Sequence, residues 1–362
     1  MSYEHLDSEL QKKLCYLYWD IANIPELLAL SPSASHPTAI QYSSFLLSIV
    51  TCIMGFAGNI VVIFVTGFLR KKNKSQIWFL NLAIADFIFL LVVPLQAVNI
   101  LTARWPYGSI MCKLYNFLNF THIYASIYIL TALNIDRALS VAKPIWHLRF
   151  LSRKFGYCVC TLIWVLSIIC SIPSIFYSEE YYFGEEPQCI LFPDDLTGIV
   201  YLNNDQNLIH GFRNFSRELC DEPFQSVQKF QDWIEMLSTT MQLVVPLAVF
   251  GCLIPLCVII SSNVTIALHV KNSQKASSSS RLYKVVIAAI LVFFCTRTPL
   301  LLAQIIFLGA AYTLQFTLMY KVIVYMPLLI SISSTNAFLN PVVYVLVGKQ
   351  VRDEICQFLR KL

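Results

Sequence analysis

Asn340-Pro341-Val342-Val343-Tyr344 closes the last long apolar segment of the chain, and Asp136-Arg137-Ala138 closes the third. A proline and a charged pair are costly in a bilayer, where every backbone and ionised group must find a partner inside the protein. Working outward from these marks, stretches of about 20 mostly apolar residues, enough to cross hydrocarbon, fall near 42–69, 77–101, 109–142, 154–177, 236–270, 282–310 and 318–347. The fold class that follows is an all-α membrane protein, a bundle of seven transmembrane helices over 42–347. An N-terminal segment, 1–41, precedes it. After Gly348, the spacing of Val351, Ile355, Phe358, Leu359 and Leu362 with bases between them suits a short amphipathic eighth helix over 348–362, lying on membrane lipids.

Composition agrees. Hydrophobic residues fill 57% of the 362 positions and charged ones 13%, about half the charged share of a soluble domain. No room is left for a soluble domain, so neither an enzyme nor a nucleic-acid binder is expected. Residues 1–41 lack the basic start, apolar middle and cleavage site of a signal peptide, so the first span is expected to direct its own insertion.

Charge sets the orientation. Arg70, Lys71, Lys72 and Lys74, then Arg149, Arg153 and Lys154, then Lys271, Lys275, Arg281 and Lys284, then Lys349, Arg352, Arg360 and Lys361 fall on one side. By the positive-inside rule that side is cytoplasmic, which places the N-terminus outside a multi-pass plasma-membrane protein. Acids gather on the opposite side: five precede the first span and twelve lie between Glu179 and Glu235. The second extracellular loop, 178–235, is also the longest connection, and a loop of such length is usually functional. It carries a sequon at Asn214-Phe215-Ser216, an expected glycosylation site.

Four of the twelve cysteines face outside: Cys15, Cys112, Cys189 and Cys220. Three pairings are open to four cysteines. Cys112 with Cys189 would pin the large loop over the bundle, leaving Cys15 with Cys220 as the second pair. From Cys112 to Arg137 is 25 residues, roughly 37 Å of helix, so Arg137 reaches the cytoplasmic face. Asp136 can hold it at rest, and release would present its guanidinium to a cytoplasmic partner. The plainer alternative is a base marking the inner boundary. Asp86, in mid-span, needs a proton, a cation or polar neighbours. Ser126, Asn336 and Asn340 are the mid-span candidates to join it, as a sodium site or as hydrogen-bonded glue between helices.

Gly58-Asn59, Leu82-Ala83-Ile84-Ala85-Asp86, Trp105 before Cys112, Asp136-Arg137, Trp164, Pro255, Pro299 and Asn340-Pro341-Val342-Val343-Tyr344 together resemble the rhodopsin-like (class A) G-protein-coupled receptors. Trp105-Pro106-Tyr107-Gly108, Lys143-Pro144-Ile145-Trp146, Pro94 and Val347-Gly348-Lys349 are similar to its chemoattractant branch, near complement anaphylatoxin and formyl peptide receptors. The resemblance implies a peptide or small-protein agonist, a heterotrimeric G protein of the inhibitory class, arrestin and a chemotactic response. It implies that Asn119, Phe120 and Ile123 face the ligand cavity, with His122 a buried neighbour in the core. The acidic loop supports a basic ligand separately, since seventeen extracellular acids would steer a cation. Tyr181 and Tyr182 lie among Glu179, Glu180, Glu185 and Glu186, a setting for tyrosine sulfation. Cys356 is a candidate for palmitoylation or a plain thiol.

Three positions depart from the family pattern. Arg297 stands where the sixth span usually carries an aromatic toggle, two residues before Pro299. It is read as a clamp for a ligand carboxylate, or as a structural partner of Asp86 or of backbone carbonyls. Asn263 replaces the fifth-span tyrosine, and Ala138 follows Arg137 where Tyr or Cys is usual. A non-signalling scavenger receptor of the same fold is therefore an alternative. An ion or solute carrier is a second, opposed by the absence of internal repeats and by only two clear mid-span charges, Asp86 and Arg297. Arrestin-directed phosphorylation is expected at Ser273 and Ser277 to Ser280.

Overall fold

The computed structural model describes residues 37–68, 76–183, 186–191, 237–238, 240–271, 279–313 and 315–347. The first span is Ala39–Phe68. The second is two helices, Gln76–Leu90 and Val93–Thr102, joined at a tight turn where Leu91 and Val92 donate three residues back and Pro94 enters the second piece. A proline cannot donate to the helical ladder, so the turn falls just before it. Ala103 then ends the span in the left-handed region, φ 51°. The third span, Gly108–Ala142, is continuous for 35 residues. A short helix, Pro144–Phe150, leads to the fourth span, Arg153–Tyr177, whose N-cap Ser152 accepts from the Phe155 amide.

Beyond the fourth span, β1 (Ser178–Phe183) and β2 (Glu186–Leu191) form an antiparallel hairpin, with Glu180 opposite Cys189 and Ser178 opposite Leu191. The fifth span, Thr240–His269 by its apolar stretch, holds a π-turn at Val249–Leu253 before Ile254–Lys271 continues. The sixth, Ser279–Tyr312, contains Pro299. The seventh is Phe316–Ser334 followed by Asn336–Val347, broken at Thr335 and carrying Pro327 and Pro341.

Among the described residues, six helices are long and apolar enough to cross a membrane. The third span stands apart from that set. It carries Asn116, Asn119, Thr121, His122, Ser126, Asn134 and Asp136, and it packs against the second, fourth, fifth and sixth spans. A helix surrounded by helices can be polar because its partners, and not lipid, are its solvent. Large apolar side chains such as Leu46, Ile53, Phe176 and Leu268 point outward from the other spans, as a lipid-facing surface requires.

One core cluster joins the bundle, from Val62, Trp78 and Leu82 through Ile127, Leu130 and Leu133 to Ile163, Ile259, Phe293 and Val343. Spans one and seven pack tightly at Gly58, where an added Cβ would lie 2.8 Å from Pro341 Cβ. The next residue uses that closeness: Asn59 Nδ2 donates to the Gly55 carbonyl at 2.9 Å and to the Ala337 carbonyl at 2.8 Å.

Candidate functional site

Three polar centres lie along the third span, one at each end and one in the middle. At the N-terminal end of the span, the Cys112–Cys189 disulfide ties it to β2, with Cα atoms 5.4 Å apart. Glu179 on β1 reinforces it, accepting from the Ser109 hydroxyl and pairing with Lys113 Nζ at 2.9 Å. The Ser109 hydrogen bond, then Lys113, hold the Glu179 carboxyl below its usual range. Trp105, fully buried, donates its amide to the Pro187 carbonyl at 2.7 Å and its indole N–H to the Gly108 carbonyl at 3.1 Å. The hairpin is thus clasped to the bundle from both strands.

Below the hairpin, Phe120 and Ile123 are buried with Tyr124 and Leu247, against Leu191 of β2 and Leu301 of the sixth span. Asn119 is half-buried. Spans three, five and six and the hairpin therefore converge where ligand-facing residues were expected. Tyr181, Tyr182 and Glu186 sit on the strands, and Glu180 is half-buried opposite Cys189. Glu185, Asn214, Cys15 and Cys220 lie outside the described residues, as does the expected eighth helix.

The middle centre is a continuous chain of buried polar side chains from four spans. Asp86 Oδ2 accepts from Asn340 Nδ2 at 2.9 Å, and Asp86 Oδ1 lies 2.7 Å from His122 Nε2. The other imidazole nitrogen, Nδ1, lies 2.8 Å from Arg297 Nη2, and Arg297 Nη1 donates to Ser333 Oγ at 2.9 Å. A guanidinium can only donate, so Nδ1 must offer its lone pair and the imidazole proton sits on Nε2, facing the carboxylate. The result is a carboxylate and a guanidinium linked through one neutral ring. Phe89 stacks on that ring with centroids 4.3 Å apart and planes 2° from parallel, and the Arg297 guanidinium carbon lies 5.8 Å from the Phe89 centroid. Asp86 and Asn340 are fully buried, His122 is 2% exposed and Arg297 is 9% exposed.

The sodium expectation can be tested on this geometry. Ser126 Oγ, Asn336 Oδ1 and Asn340 Oδ1 are buried oxygens without a partner, and neutral oxygens of that kind suit water or a hard cation. The Asp86 carboxylate, placed among them, already faces two N–H donors, His122 Nε2 and Asn340 Nδ2. Among the described residues, no cluster of three acidic, His or Cys ligands is present to supply further charge. As arranged, the residues do not fit a sodium ion.

Arg297 thus lies among Asp86, His122 and Ser333. Sequence reading left His122 as a core neighbour and passed over Ser333. A signal existed for both: His122 is one helical turn before Ser126, and Ser333 three residues before Asn336, each on the face already assigned to Asp86.

At the C-terminal end of the third span, Asp136 pairs with Arg137 and also takes His147 Nε2, from the short helix, at 2.9 Å from Oδ1. Asn134 Nδ2 donates to the Ile259 carbonyl at 3.1 Å, tying spans three and five. Asn263, further along span five, is half-buried and its Oδ1 has no partner. Trp164 Nε1 donates to Asn81 Oδ1 at 3.0 Å, joining spans four and two. Tyr344 lies on the final helix, three residues after Pro341.

Against known proteins, the model of the family described as 7 transmembrane receptor (rhodopsin family) matches residues 58–344. The chain is 27% identical to Chemerin-like receptor 1 of Sus scrofa over 312 residues, 84% of this chain and 76% of that protein. It is 27% identical to the C3a anaphylatoxin chemotactic receptor of Oncorhynchus mykiss over 348 residues, 96% of this chain and 83% of that one. The C3a anaphylatoxin chemotactic receptor of Danio rerio is 28% identical over 324 residues, 89% and 77% of the two chains.

Proposed function

Because the chain belongs to the rhodopsin family of seven-transmembrane receptors, we propose that it is a G-protein-coupled receptor of the plasma membrane for a peptide or small-protein chemoattractant. It is not an enzyme; it turns binding outside into coupling to an inhibitory G protein inside. The observation that carries this reading is likeness, across 96% of the chain, to a C3a anaphylatoxin chemotactic receptor.

The geometry is suited to the task. A hairpin anchored by Cys112–Cys189 and Glu179 stands over the outer end, while Arg137 waits at the inner end against Asp136, which His147 also holds. The agonist enters beneath the hairpin, toward Asn119, Phe120 and Ile123. Agonist binding favours a state in which span six has moved outward and Arg137 is released to the G protein, and the ligand must bind that state more tightly than the resting one. The N-terminus and the acidic loop are extracellular, and the acids of that loop select a cationic ligand and speed its encounter.

Nucleotide exchange on inhibitory G protein in membranes bearing the full chain, challenged with basic chemotactic peptides, tests the reading. Exchange stimulated by a peptide and abolished by Arg137→Ala, with surface expression retained, is the expected outcome. Peptide binding without exchange would establish a non-signalling receptor, the second reading, which Arg297 at the toggle position favours. Ligand-dependent current or flux would mark a carrier and overturn both.

A further inference from the structure

We infer that Arg297 is a tethered counter-cation for Asp86, acting through His122, and that it takes the place a free cation would otherwise hold in the middle of the bundle. The argument begins with cost. A lone carboxylate or guanidinium in mid-membrane is strongly unfavourable, because hydrocarbon offers it neither water nor a counter-charge. Here each is present once, and each is almost wholly removed from solvent.

The connection between them runs unbroken through His122, with Arg297 Nε left as a buried donor without a partner. Asp86 accepts from two N–H groups, on His122 and Asn340, and Arg297 donates to two acceptors, on His122 and Ser333. His122 is the link because one ring presents a donor to the acid and an acceptor to the base, 2.7 Å and 2.8 Å away. The Phe89 stack holds the ring in the plane that serves both. A mobile cation added beside Asp86 would meet a guanidinium whose position is fixed by the fold, and among the described residues no group of three acidic, His or Cys ligands is present to offset it. The unpartnered oxygens of Ser126, Asn336 and Asn340 are then sites for water.

Because Arg297 comes from span six and its partners from spans two, three and seven, the arrangement also holds span six inward. Outward motion at Pro299 has to draw the guanidinium from His122 and Ser333, leaving the Asp86 charge without its balance. The centre of this bundle is a charge-neutral clamp built from side chains alone.

Thermal unfolding of the purified full chain tests this without any ligand or G protein, so a failed signalling assay leaves the result interpretable. The wild-type midpoint should be the same in sodium chloride and in choline chloride at equal ionic strength. A ligand that binds only the folded state raises the midpoint by mass action, so a wild-type midpoint that climbs with sodium would overturn the inference. Arg297→Met and Asp86→Asn should each lower the midpoint by on the order of 10 °C, since each strands a buried charge. The double variant should recover most of that loss, whereas losses that merely add would refute the pairing. Arg297→Met should also acquire a sodium-dependent rise in midpoint, because the tethered cation is gone; no rise would count against the substitution of one cation for another. If either single variant yields no folded protein, recovery of folded yield in the double variant is the readout, and its absence overturns the pairing.

Discussion

Asp86 in the middle of the bundle and Asp136 near the C-terminal end of the third span each have a histidine against the carboxylate and an arginine in the same group, yet the two arrangements hold different things together. At Asp86 the histidine stands between acid and base, and the five polar groups at the centre come from spans two, three, six and seven. At Asp136 the arginine is the next residue on the same helix and the histidine comes from the short connecting helix outside the bundle. The first arrangement is a buried chain running from Asn340 to Ser333. The second is part-exposed, with the Arg137 side chain at 17% exposure, and its members can exchange partners with water or a docking protein. The same three residue types thus make a clamp where no solvent reaches and a latch where some does, because stranding a charge costs far more in the first place than in the second.

Matched substitutions break or sharpen that comparison. The largest effect is expected at His122→Phe, which keeps a ring to stack on Phe89 and removes both nitrogens. It leaves Asp86 and Arg297 without their bridge and should cost about 3–5 kcal/mol, read as a fall in the unfolding midpoint. The corresponding change at the inner end, His147→Phe, leaves Asp136 its Arg137 partner and should cost no more than about 1 kcal/mol. Equal losses at the two histidines would remove the distinction between clamp and latch.

The smallest effect is expected at the outer clasp. Glu179→Gln removes the charge paired with Lys113, an exposed pair worth under about 1 kcal/mol, while the disulfide keeps the hairpin in place. The pH dependence has a definite sign. Ser109 and Lys113 depress the folded-state pKa of Glu179, so its contribution is fully present above the ordinary glutamate range. It is lost as pH falls through the lowered folded value. Amide exchange in β1, taken relative to the intrinsic rate at each pH, should therefore be unchanged near neutrality and quicken only in acid, and Glu179→Gln should flatten that acid response. Quickening between pH 6 and neutrality, on the order of one unit or more above the glutamate range, would point to a different group.

The seven-helix architecture was legible along the chain because hydropathy and charge are local properties, and a bilayer reads them segment by segment. Membership of the rhodopsin family was legible for a related reason, since Gly58-Asn59, Asp136-Arg137 and Asn340-Pro341 are short signatures that keep their order. The polar third span shows the limit of local reading. Its Asn, His, Ser and Asp residues lower its hydropathy relative to the other spans, and only its position among four neighbours accounts for them.

The central site divides along the same line. That Asp86 needs a partner, and that Arg297 is out of place for an aromatic position, follows from residue type and depth in the membrane. Which partner each takes does not, because sequence spacing places residues on a face without saying which faces meet. Asp86 and Arg297 are drawn into one neutral unit by a histidine on a third helix, a serine on a fourth and a phenylalanine that holds the ring flat. Local chemistry set the number, order and polarity of the helices and named the charges that would need an answer. Packing chose the answer, since hydrogen bonds act over about 3 Å and only the folded bundle brings those five side chains that close.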